Sequence, residues 1–410
     1  MVAISRMLEG AVPSDSTDVR FNDRPNGMPA DEARIMALTS IAHFFTHVFM
    51  LVYPTLAVLI AREWGTTEAD MLLLATPGFV FYGLAAYPQG LWADRIGGFW
   101  PVVVGLLGMG VGALVCGFSA SDLGLAVGLG IIGLGASAYH PAGLGLISHG
   151  MSRPGWALGV NGAIGSAAVA TAPALAELMS LAFGWQGTFL GLGGIALISG
   201  AVLTRFPITV DIGKETSAPG TGEEASLFTG PFLWLCIAML FSGLAYRGVN
   251  TVFPTLFAER VEGMGHGIAT SVAYGFAVVM NYFGGRLVDK FEAPTLYFAF
   301  HATSFIPLLL TAWFAGPALL SVAALYAASA MAAQPVENRY IAINSPASRR
   351  SVAYGIKFTI TFGVGALAVP AVSAILSVHG TQSVMWALSG TVGALVLSAW
   401  ALLRFAKVAR

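Results

Sequence analysis

Gly90-Leu91-Trp92-Ala93-Asp94-Arg95-Ile96-Gly97-Gly98 is a short polar turn between two long apolar runs, and it returns once, as Gly285-Arg286-Leu287-Val288-Asp289-Lys290. The two acids stand 195 residues apart, and other landmarks keep nearly the same spacing. Tyr53-Pro54-Thr55-Leu56 returns as Phe253-Pro254-Thr255-Leu256 at an offset of 200. His140-Pro141 aligns with Gln334-Pro335 at 194, Gly159 with Gly355 at 196, and Pro173 with Pro370 at 197. A common offset over five landmarks points to an internal duplication. The one long polar stretch between apolar runs, Pro207 to Phe228, divides the two copies.

Each copy is built for lipid. Of 410 residues 56% are hydrophobic and 10% charged, with mean hydropathy +0.75, whereas soluble domains carry about 25% charged residues. A spanning helix needs about 20 apolar residues. Such stretches fall at 35–60, 70–91, 99–118, 123–148, 155–182, 185–206, 231–257, 265–287, 294–315, 317–340, 351–377 and 382–404. The expected fold is therefore an all-α integral membrane protein of twelve transmembrane helices in two six-helix pseudo-symmetric bundles. The expected domains are a flexible tail over 1–33, a first bundle over 34–206, a linker over 207–228 and a second bundle over 229–410. Glycines recur inside the spans, as at Gly105, Gly108 and Gly112 and at Gly155, Gly159 and Gly162, where small residues let membrane helices approach closely.

Net charge is −1, which offers no basic surface to nucleic acid. With the N-terminus in the cytoplasm, 16 of the 20 Lys and Arg lie in or beside cytoplasmic segments, among them Arg153, Arg205, Lys214, Arg349, Arg350 and Lys407. The charge bias thus predicts that both termini are cytoplasmic in a multi-pass inner-membrane protein. The polar residues 1–33 lack the apolar core of a signal peptide. Cys116 and Cys236 both lie within spans, where they read as packing residues.

The turn at Gly90–Gly98 resembles the signature of the major facilitator superfamily, Gly-x-x-x-Asp-Arg/Lys-x-Gly, with an echo at Asp289-Lys290. The resemblance implies substrate held between the halves near the midplane. It also implies a gate in which Gly90, Asp94, Arg95, Gly97, Asp289 and Lys290 form a polar cluster that breaks when the protein opens inward. His43-Phe44, Tyr53-Pro54 and Gly133-Leu-Gly-Ala-Ser-Ala-Tyr139-His140-Pro141 look like the fosmidomycin-resistance branch, drug exporters thought to exchange for protons. His47 and Ala142 stand where that branch commonly has Asp and Glu, so its acidic proton carriers are absent. The glycine row of an antiporter fifth helix is kept only in part, at Gly159, Ala168, Ala172 and Pro173, before Glu177 interrupts it.

Ionisable groups inside spans are costly and mark function by default. They are His43, His47, His140, Glu177, Arg247, His301, Glu337, Arg339 and Lys357. By the repeat offset Arg247 is the counterpart of His47, and Lys357 of Asn161. Arg247, too deep to reach water easily, calls for an anionic substrate or a pair with Glu337. Candidate substrate contacts are His43, His47, His140, Asn161, Arg247, Asn250, Asn281 and Lys357. Glu337 and His47 are the candidates for carrying a coupling proton. His43 and His47, four apart on one helical face, together with Met50 and His140 also compose a soft-metal ligand set. Hydrogen bonding between helices accounts for the same histidines equally well.

Three functions follow. The favoured one is a secondary transporter that moves a small organic solute, anionic or amphipathic, by alternating access, proton-coupled and in the export direction. The second is a copper or iron transporter using His and Met. The third is a non-transporting scaffold or sensor, which predicts a broken gate motif, yet Gly90, Asp94, Arg95 and Asp289 are present. No HExxH, GxSxG or nucleotide-binding loop occurs, so the chain does not read as an enzyme. The expected partners are a small-molecule substrate and the lipid bilayer, with no cofactor and a monomeric state.

Overall fold

The computed structural model describes residues 30–210, 229–345 and 350–408, and every regular element among them is helical. The expected tail up to residue 29 and the expected linker over 211–228 lie outside the described residues, as does Arg349.

α1 is Ala30–Trp64. α2 comes in three pieces, Glu68–Leu73, Thr76–Leu84 and Ala86–Ile96, with a 41° bend between Leu84 and Ala86. α3 is Phe99–Gly117 and α4 is Asp122–Gly150. The following helix, Pro154–Leu203, has 50 residues, more than twice the bilayer requirement of about 20. It folds back at Gly184, where φ +70° and ψ 172° define a backbone region that is essentially closed to residues bearing a Cβ. The two limbs are α5 (154–183) and α6 (185–203).

The second copy repeats this plan. α7 is Gly230–Arg260, α8 His266–Leu287, α9 Ala293–Leu310 and α10 Gly316–Asn344. The chain from 350 to 408 turns at Gly380, φ +74° and ψ 177°, and so contains α11 (350–379) and α12 (381–408). Gly184 and Gly380 stand 196 residues apart in the same conformation, so the duplication extends to backbone geometry. Pro54 and Pro254 likewise interrupt α1 and α7 in register. The twelve expected spans are present.

Some span glycines do bring backbones together. A Cβ on Gly133 of α4 would lie 1.9 Å from the carbonyl oxygen of Gly78 in α2. Gly155, Gly159 and Gly162 do not, because nothing lies within 4 Å of where their Cβ atoms would be. Their small size serves no helix contact here, contrary to the expectation for that row.

For orientation, the near face is the one at which α1 begins, and the far face the one at which it ends. Among the described residues, the hydrogen bonds that join the two halves lie toward the far face. The Ser373 hydroxyl of α11 donates to the Ala69 carbonyl of α2 at 2.7 Å, and the Ala174 N–H of α5 donates to Ser271 Oγ of α8 at 2.8 Å. At mid-depth α2 and α11 touch backbone to backbone, since a Cβ on Gly83 would come within 2.3 Å of Gly363 Cα. Gly363 lies in a π-helical stretch, Thr359–Val364, a wide turn that often marks functional sites.

Candidate functional site: a polar centre between the halves

Two groups of polar side chains, one from each half, lie within the bundle. In the first half, α1 supplies His43 and His47 one turn apart, α4 supplies Tyr139 and His140, and α5 supplies Asn161. His43 Nδ1 is 2.9 Å from the Asn161 carbonyl oxygen. A carbonyl can only accept, so Nδ1 carries the proton and the Nε2 lone pair is left facing outward. Opposite it stands His47 Nε2 at 3.0 Å, which therefore donates. The Tyr139 ring stacks on His43 at 4.5 Å between centroids, and its hydroxyl donates to Asn161 Oδ1. His140 is sandwiched against Phe358 of α11, 5.4 Å away and within 21° of parallel. Its Nε2 is enclosed and has no hydrogen-bond partner.

In the second half, α10 and α11 hold an ion pair. Lys357 Nζ is 2.9 Å from Glu337 Oε1 and also donates to Asn338 Oδ1. Tyr297 of α9 donates its hydroxyl to Glu337 Oε2 at 2.8 Å. Asn161 and Lys357, equivalent under the repeat, thus each tie the fifth helix of their half to the fourth. His301 packs edge-on against Tyr297 at 4.5 Å, and neither of its ring nitrogens has a partner.

Arg247 of α7 lies between these groups. It is 3% exposed, and its guanidinium carbon sits 3.9 Å above the Phe79 ring and 6.0 Å from Tyr82, both on α2 in the other half. Such stacking on a ring is worth roughly 2 kcal/mol when desolvated, well short of what removing a charge from water costs. Glu337 is engaged by Lys357, and no carboxylate lies within ion-pair distance of Arg247 among the described residues. Its Nε is buried without a partner. Nearby polar atoms are also unsatisfied. Asn250 donates to the Tyr246 carbonyl at 2.7 Å, but its Oδ1 has no partner, and neither does the Tyr274 hydroxyl. Buried polar groups are normally hydrogen-bonded, and here a guanidinium nitrogen, an amide oxygen and a hydroxyl are each left without a partner.

Of the residues singled out from sequence, the structure brings His43, His47, His140 and Asn161 together, seats Arg247 and Asn250 on one helix a turn apart, and joins Lys357 to Glu337. Asn281 is a partly exposed residue of α8 outside these groups. Met50 lines a small void with Phe49, Tyr53, Phe79 and Leu129. Asp94, Arg95, Asp289 and Lys290 are exposed and form no ion pair among the described residues. Gly97 ends α2 with φ +84°, and Gly90 lies against the ring of Pro141. Of the aromatic residues on α2 and α8, Tyr82 and Tyr274 are buried while Phe81, Tyr87 and Tyr282 are exposed. Sequence reasoning passed over Phe79, Phe358 and Phe362. Their signal was weak, since aromatic residues are ordinary in spans, although Phe358 and Phe362 follow Lys357 at helical spacing.

Residues 38–356 match the sequence model of the Major Facilitator Superfamily. The chain belongs to that superfamily. Among curated relatives it is 24% identical over 272 residues to the gentisate transporter of Corynebacterium glutamicum, covering 60% of each chain. It is 24% identical over 165 residues to the probable sulfoacetate transporter SauU of Cupriavidus necator, covering 40% of this chain and 38% of that one. The chain therefore spans less than two thirds of the length of these relatives. Among solved structures, a bacterial homologue of the human lysosomal transporter Spinster, inward-facing and unoccupied, superposes with TM-score 0.74 at 16% identity over 92% of this chain and 99% of that one. That likeness is one of fold.

Proposed function

We propose that this superfamily member is a secondary transporter of small organic anions, with Arg247 as the anchor for the substrate's acidic group. The observation that carries the reading is a buried guanidinium at mid-depth with no carboxylate within ion-pair distance among the described residues. Gentisate and sulfoacetate, named for the two relatives, are both small organic acids, which supports the same class here. The bound anion lies between the halves, with Phe79 and Tyr82 behind the guanidinium and Asn250 and Tyr274 offering an acceptor and a hydroxyl. Bundles 34–206 and 229–410 rock about it, joined through 207–228. The near face is cytoplasmic on the placement of Lys and Arg, in the inner membrane.

Proton coupling runs through the His43–His47 pair in this reading. One proton bridges the two Nε2 atoms, and a second breaks the bridge, so the pair has two arrangements that a proton switches. Glu337 is the lesser carrier, because both its carboxylate oxygens are already engaged, by Lys357 and by Tyr297. The direction is export, as the likeness of α1 and α4 to the fosmidomycin-resistance branch implies.

The test is transport in proteoliposomes. Wild type is expected to exchange labelled gentisate against unlabelled gentisate and to accumulate it under an imposed pH gradient of one orientation. Arg247→Ala is expected to lose both activities, and His47→Gln to keep exchange while losing gradient-driven accumulation. Exchange that persists in Arg247→Ala overturns the anchor, and accumulation that persists in His47→Gln overturns the coupling.

A further inference from the structure

His43, His47 and His140 are more tightly convergent than a hydrogen-bonded helix contact requires. One ring nitrogen from each lies within 4.8 Å of the other two. We propose that these three histidines form a binding site for a first-row transition-metal dication, held by three nitrogens with a fourth position open.

The donor set is preorganised in the way metal-bound histidines are. A ligating imidazole almost always donates its other N–H to a carbonyl or carboxylate, which fixes the tautomer and aims the free nitrogen. His43 does so through Nδ1 to the Asn161 carbonyl at 2.9 Å, and the stacked Tyr139 ring holds its plane. His140 is held by Phe358 and presents an enclosed Nε2 with no partner. Metal–nitrogen bonds of about 2.0–2.1 Å in a tetrahedral site put the donors roughly 3.3 Å apart. His43 and His47 are already at 3.0 Å, and His140 closes the remainder by side-chain rotation. The ion takes the place of the hydrogen bond between His43 and His47. The His47 proton then resides on Nδ1, so the ring stays neutral and no proton is released. An all-imidazole set without carboxylates selects zinc, iron(II), cobalt, nickel or copper over magnesium and calcium.

Tyr82 links the site to Arg247, its ring lying 6.2 Å from that of His140 and 6.0 Å from the Arg247 guanidinium carbon. A dication and Arg247 repel each other, and an organic anion between them relieves the repulsion. Metal and anion are therefore expected to bind cooperatively. This coupling rests on the anion reading of Arg247, whereas the metal site itself does not.

The experiment is titration of purified, chelator-treated full-length protein, bearing an affinity tag without histidine, with zinc and cobalt(II) in anion-poor buffer. Wild type is expected to take up one ion, and the cobalt form to show the intense visible bands of a four-coordinate nitrogen site. His43→Ala and His140→Ala are expected to weaken binding at least about tenfold, while His149→Ala, at the exposed end of α4, leaves it unchanged. Arg247→Ala is expected to bind zinc at least as tightly as wild type, which separates this site from the anion anchor. Gentisate is expected to raise zinc affinity in wild type and not in Arg247→Ala. Absence of one-to-one binding by wild type overturns the proposal without recourse to any variant's folding. So does zinc affinity indifferent to both His43→Ala and His140→Ala in folded protein, and zinc affinity indifferent to gentisate overturns the coupling.

Discussion

Removing Glu177 should open the far face. The Glu177 carboxylate on α5 reaches across to the N-terminus of α8, where Oε2 accepts the Ile268 N–H at 3.0 Å and Oε1 faces His266 Nδ1 at 3.4 Å. The other ring nitrogen of His266 donates to the Thr55 carbonyl of α1 at 3.0 Å. One carboxylate thus caps a helix of the opposite half and lies beside an imidazole that is itself tied to α1. Both side chains are less than a tenth exposed. When the halves part at this face, each of these groups is returned to water, so the interaction stabilises the closed arrangement alone. Hydrogen bonds to a charged group contribute roughly 1.5–3 kcal/mol net. Glu177→Ala should therefore shift the closed-to-open equilibrium by about 10- to 150-fold, and Glu177→Gln, which keeps an acceptor for Ile268, by less. Thr55 is fully buried beside this contact, and Thr55→Cys in a background with Cys116 and Cys236 replaced by Ser makes a reporter. Its labelling rate by a membrane-impermeant maleimide follows the open fraction. Labelling that rises by less than about twofold in Glu177→Ala refutes the latch.

Gly83→Ala should act in the same direction for a steric reason. The added methyl meets the Gly363 backbone at 2.3–2.4 Å, so α2 and α11 have to separate, and both faster Thr55→Cys labelling and a lower melting temperature are expected. Lys357→Ala removes one partner of a buried ion pair and leaves Glu337 with Tyr297, a loss of roughly 3–5 kcal/mol. Lys357→Met with Glu337→Leu should recover most of that, as read from melting temperatures in detergent. Gly380→Ala forces a Cβ into a backbone region open essentially to glycine alone, at a cost of about 1–3 kcal/mol, and a similar loss is expected for Gly184→Ala.

The fold was legible because lipid imposes long apolar runs and the duplication fixes their register. The offset of Asp94 to Asp289 is within a residue of that between the two turn glycines, Gly184 and Gly380. The polar centre was legible in part. Charged and amide groups stand out in an apolar sequence, which is why His43, His47, His140, Asn161 and Arg247 were nominated, but their partners are set by helix rotation. Sequence left Glu337 as an alternative partner for Arg247, and the rotation of α10 and α11 gives it to Lys357. Phe79 beneath Arg247, Phe358 against His140 and the π-helical turn at Thr359–Val364 have no sequence signature that separates them from ordinary span residues. His266 was overlooked since it sits at a span end, where a histidine reads as solvated. Its significance depends on Glu177 and Thr55, which are distant in sequence.

The central claim is that Arg247 awaits an anion, and equilibrium binding tests it most directly. Labelled gentisate should bind purified wild type saturably and be displaced by sulfoacetate, with no displacement by the uncharged methyl ester of gentisate. Arg247→Gln should weaken binding by about 2 kcal/mol or more, at least some thirtyfold, as loss of one partner of a buried charge pair does, while the melting temperature is unchanged or raised because an unpaired buried charge has been removed. Gentisate binding of equal affinity in wild type and Arg247→Gln would contradict the account.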